Sequence, residues 1–118
     1  MRAVVQSLHS PDISELETFT AGPEPFSLLI EATIGQDESR GGEQFCFTVC
    51  NCPAMNLEVE NASGRAWIRS VLLMKTFSYQ LLIDALNELC ARAGEGDWDS
   101  IARYISKYTS WEFEDFQS

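Results

Sequence analysis

Phe26, Leu28, Ile30, Ala32 and Ile34 recur at every second position, and this alternation constrains the fold more than any other feature of the chain. Successive side chains of an extended strand point to opposite faces, so a period of two puts all five on one face. A second alternating run follows in Phe45, Phe47 and Val49, with Gln44, Cys46, Thr48 and Cys50 on its opposite face. The connection between them, Gly35-Gln-Asp-Glu-Ser-Arg-Gly-Gly-Glu43, is polar and glycine-bearing. Two alternating runs joined in this way predict an antiparallel hairpin.

Other segments supply what the hairpin packs against. Residues 2–8 contain an apolar run stopped by Ser10-Pro11 and read as a first strand. Ser10-Pro11-Asp12 has the form of a helix start, and Ile13 and Leu16, three apart, predict a short helix there. Residues 51–65 carry Asn, Pro and Gly with no steady period, which predicts an irregular connection with an edge strand at 57–59. Residues 66–76 are rich in large apolar and β-branched side chains and predict a central strand. Ser78 caps a helix over 79–93, where Leu82, Leu86, Leu89 and Ala93 form a stripe that Gly94 ends. Asp97 caps another, with Trp98, Ile101, Ala102, Ile105 and Tyr108 on one face. Residues 111–116 alternate as a final strand. Strands early and helices late predict an α+β fold: a mainly antiparallel sheet of four to five strands, covered on one face by two C-terminal helices. With 118 residues, 45% of them apolar, the chain has the length and the core material of one domain spanning 1–118.

Charge narrows the choice of partner. Eighteen acids against eight bases give a net charge of −10, which disfavours any nucleic-acid binder that works by neutralising phosphates. No apolar run approaches the ~20 residues that cross a bilayer, and no signal-peptide pattern opens the chain, so we expect a cytoplasmic protein. Residues 1–60 hold ten acids and two bases, whereas 61–118 hold eight and six. Two clusters stand out: Asp37, Glu38 and Glu43 around the hairpin connection, and Glu112, Glu114 and Asp115 at the end. Solvation alone accounts for most charge runs. In Trp111-Glu-Phe-Glu-Asp-Phe116, however, rings alternate with carboxylates, so one face anchors while the other shows charge. These six acids are the expected partner contacts, and the expected partner is basic.

The four cysteines, Cys46, Cys50, Cys52 and Cys90, read as reduced structural thiols. The spacing of Cys46, Cys50 and Cys52 lacks the second ligand pair of a structural zinc site, so no metal is expected. Residue types alone leave open a small thiol enzyme using Cys50 or Cys52 with His9, the single histidine.

Taken together, Leu8-His9-Ser10-Pro11-Asp12, Phe45-x-Phe47-Thr48-Val49-Cys50, Trp98 and above all Trp111-Glu112-Phe113-Glu114-Asp115-Phe116 give the chain a family likeness. It resembles immunity protein family eight of bacterial polymorphic toxin systems over most of its length, most weakly in residues 51–65. The resemblance implies a small cytoplasmic α+β protein that neutralises a cognate toxin domain by binding, without catalysis or cofactor. Many such toxins are nucleases with electropositive active sites, to which an acidic inhibitor is complementary. The competing expectation is an acidic adaptor or nucleic-acid mimic with another basic partner.

Overall fold

A computed structural model of the chain describes residues 1–39 and 41–113. In chain order the elements are β1 (Ala3–His9), β2 (Ser27–Gln36), β3 (Gly42–Cys50), α1 (Cys52–Asn61), β4 (Val71–Leu73), α2 (Tyr79–Ala93), α3 (Trp98–Ile105) and β5 (Ser110–Trp111). The fold is α+β, as the alternation of the sequence predicts. The hairpin forms the middle of the sheet: β2 and β3 pair antiparallel from Ser27↔Cys50 to Gly35↔Gly42, and β1 lies antiparallel on the far side of β2. Gly35 is required here, because a Cβ at that position would collide with the Gly41 carbonyl and the Gln6 side chain. Gln6 reaches across the hairpin tip, its Nε2 donating to the Gly41 carbonyl oxygen at 3.2 Å.

The inner face of the sheet and the two C-terminal helices make the core. Leu28, Ile30, Ala32 and Ile34 of β2 and Phe45, Phe47 and Val49 of β3 are buried against Leu82, Leu86 and Leu89 of α2 and Ile101 and Ile105 of α3. Both helices start on predicted caps: Ser78 Oγ accepts from Leu81 N at 3.2 Å, and Asp97 Oδ1 accepts from Ser100 N at 2.8 Å. The Asp97 bond favours the carboxylate and holds its pKa below the ordinary value. Trp98 packs on the core half-buried. The helix that it opens ends at Ile105, and residues 106–108 continue as a turn.

Four expectations are corrected. Residues 10–16 form turns and not a short helix. Ser10 Oγ accepts from Asp12 N, and Asp12 Oδ2 accepts from Leu29 N at 2.7 Å, serving a β2 donor that lies beyond the last β1 pair, His9↔Glu31. Side chains that bond the backbone in this way compete with a helix too short to nucleate by itself.

Residues 52–61 form α1, where we expected an irregular connection and an edge strand. Asn51 is its cap and is 2% exposed: Oδ1 accepts from Ala54 N at 3.1 Å and from Phe26 N at 3.2 Å, while Nδ2 donates to the Glu24 carbonyl oxygen at 2.8 Å. No residue of α1 is buried, so it has no core-facing stripe to betray it.

The third and fourth corrections share one cause. The strand expected over 66–76 shrinks to Val71–Leu73, lies at the sheet edge, and runs parallel to β3 opposite Thr48–Cys50. Of the strand expected over 111–116, Trp111 pairs together with Ser110 antiparallel to β3 at Phe45 and Cys46, residues 112–113 form a turn, and 114–116 lie outside the described residues. Both compete for one edge of β3. With β5 on its first half, β4 retains only the second, and the chain departs at Ser70, whose φ of 57° is left-handed. Ser70 Oγ and Ser110 Oγ lie 3.0 Å apart where the two segments meet.

Candidate functional site

The helices close the inner face of the sheet, and its outer face carries the polar side chains. The register aligns His9 of β1, Glu31 of β2, Cys46 of β3 and Ser110 of β5 in one row across the sheet. His9 Nε2 and Glu31 Oε1 are 2.6 Å apart. In the next row Gln44 N donates to Glu112 Oε1 at 2.7 Å, and Glu112 N donates to the Gln44 carbonyl oxygen at 3.1 Å. Glu31, Gln44, Cys46, Arg69, Ser110, Trp111 and Glu112 line a shallow cleft of about 430 Å³ on this face. Burial, and after it the Glu31 and Glu112 carboxylates, push the Cys46 thiol above its ordinary pKa. Two acids from distant parts of the chain therefore converge on one exposed patch.

The expected contact residues divide. Glu112 belongs to the outer face. Asp37 and Glu38 sit at the hairpin tip, where Asp37 Oδ1 accepts from Arg2 N at 2.9 Å and Glu38 takes the turn with φ 67°. Glu43 belongs to the inner face, and its Oε1 accepts both Trp98 Nε1–H at 2.9 Å and Trp111 Nε1–H at 2.8 Å. Trp111 stacks on Phe45 with ring centroids 6.1 Å apart and planes 7° from parallel, so it anchors the chain end as its position in the motif predicts. Phe113 meets Trp111 edge-on and remains partly exposed. Glu114, Asp115 and Phe116 lie outside the described residues.

Glu31 escaped the sequence reading, although it is the one ionisable residue of β2 and its alternation with Ile30 and Ala32 already turns it away from the core. Arg69 was placed on a central strand, and the register that brings it to the cleft was not legible.

The thiols do not form the pairing considered above. His9 shares a row with Cys46, four residues along β3 from Cys50, which adds about 13 Å of strand to the spacing of two strands. Burial, then Cys52 and Glu58, push the Cys50 thiol up, and burial pushes Cys90 up to about 11. Each shift disfavours the thiolate that a nucleophile needs. Among the described residues, no group of three or more His, Cys, Asp or Glu side chains is placed to hold a metal ion, and no helix is long and apolar enough to cross a membrane.

A two-layer α+β protein with net charge −10, closed by helices on one sheet face and carrying ionisable groups on the other, is the class that the fold and the site define. The chain belongs to the Immunity protein 8 family, whose family model matches residues 3–116. No curated protein and no solved structure matches it.

Proposed function

We propose that this immunity protein neutralises a cognate toxin by binding it, without chemistry of its own, and that the toxin surface it meets is basic, as a nuclease-like active site would be. The observation that carries the reading, beside the family, is the convergence of Glu31 and Glu112 on the open sheet face. Opposite charge across an interface steers the encounter and raises the association rate, and the chain's net charge of −10 acts in the same direction at longer range. Glu38 at the hairpin tip extends the acidic surface, and Glu114 and Asp115 continue it in sequence. Glu43 contributes by holding the Trp111 anchor rather than by direct contact.

The test is co-expression with the toxin domain encoded beside the gene, in a cell where that toxin alone stops growth. Growth should resume, and persistent arrest despite soluble protein would refute the proposal. The pair E31Q and E112Q should slow association with the purified toxin by about tenfold at low salt and flatten its salt dependence, with little change in dissociation.

A further inference from the structure

One large aromatic side chain stays wholly outside the fold: Trp67 is 103% exposed relative to its reference state. Indoles ordinarily find a packed environment, because their area is costly to leave in water. Trp67 belongs to the segment 64–69 that β5 excludes from the edge of β3, since β5 pairs with Phe45 and Cys46, where a longer β4 would have continued. Left-handed residues mark both ends of the segment: Ser63 just before it and Gly64 at its start, with φ of 62° and 93°, and Ser70 after it, with φ of 57°. Non-glycine residues adopt this region rarely, so the fold holds the segment away from the sheet at both ends. Exposed Ile68, next to Trp67 in the chain, adds apolar surface.

The local charge opposes that of the rest of the chain. Residues 61–78 contain Arg65, Arg69 and Lys75 and no acid, within a chain of net charge −10. Tryptophan and arginine are the residue types most enriched among side chains that dominate binding energy at interfaces. We propose that residues 64–69 are a docking arm, with Trp67 entering an apolar pocket on the toxin whose rim carries carboxylates facing Arg65. This assignment rests on the toxin-neutralising reading above and adds the side chain that carries most of the affinity. A second copy of the chain is the less suitable occupant, because two molecules of charge −10 repel as they approach. The acidic sheet face and the arm then divide the work: the former governs the rate of encounter, the latter the lifetime of the complex.

The experiment measures calorimetric affinity of the full chain for the adjacent toxin domain, inactivated by substitution, together with sedimentation of the chain alone. W67A should weaken binding by about 30-fold or more, the loss that marks a dominant interface residue, at an unchanged melting temperature. R65E should weaken it by about tenfold, more so at low salt, through charge reversal against the carboxylate rim. Affinity of W67A within twofold of wild type overturns the docking arm while leaving the toxin-neutralising function standing. A wild-type chain that fails to bind overturns both. A wild-type dimer that W67A dissociates, with toxin affinity intact, puts a second copy on the arm and overturns the assignment.

Discussion

A single carboxylate oxygen that takes two indole N–H groups shows how a charge in the sequence can serve the interior. Glu43 Oε1 joins Trp98 of α3 to Trp111 of β5, residues 55 and 68 positions away, above the ring of Phe45. Removing the acceptor breaks two hydrogen bonds to a charged group, each worth about 1–2 kcal/mol. E43A should therefore lower stability by about 2–3 kcal/mol, while E43Q, which keeps an acceptor oxygen, should lose no more than about 1 kcal/mol. Urea denaturation separates the two, and a loss below about 0.5 kcal/mol for E43A would show that water replaces the carboxylate. The face that Glu43 occupies was legible, since it alternates with Phe45, Phe47 and Val49. Its partners were not, because contacts across 55 and 68 residues depend on where α3 and β5 dock.

At the scale of elements, legibility followed burial. Helices α2 and α3 each present an apolar stripe to the sheet, and a stripe of period 3.6 is readable wherever it occurs. Leu86 is buried in that stripe, so L86A should cost about 2–5 kcal/mol, and chemical denaturation showing a change within about 0.5 kcal/mol would place the stripe on the wrong face. Helix α1 buries nothing, so only its ends could reveal it: Asn51 as cap and Pro53 in the first turn. The expected strand at 66–76 failed for another reason. Its composition suits a strand, but its length is decided by the second claimant to the edge of β3, thirty-seven residues after Leu73 at Ser110. That competition also leaves Trp67 outside.

For the whole molecule, the excess of ten negative charges bears both on how it would meet the basic partner proposed above and on how it tolerates its own compactness. Exposed ion pairs, Arg2–Glu95 at 3.2 Å and Arg103–Asp99 at 2.7 Å, each contribute at most about 1 kcal/mol. Self-repulsion acts on every acid at once, so screening should help the fold more than it harms these pairs. Raising sodium chloride from about 0.01 M to about 0.1 M shortens the screening length from about 30 Å to about 10 Å, and the melting temperature should rise by about 2–5 °C. A fall, read by circular dichroism, would mean that the ion pairs dominate. The same salt should slow capture of the toxin, so stability and association rate should move in opposite directions. By itself, the sequence determined which side chains face inward along β2, β3, α2 and α3, because periodicity is a local property of a strand or helix. Only the tertiary structure decided which segment holds each edge of the sheet, which acids reach the surface together, and which tryptophan is left in water, because those outcomes are settled by competition between segments far apart in the chain for the same backbone hydrogen bonds.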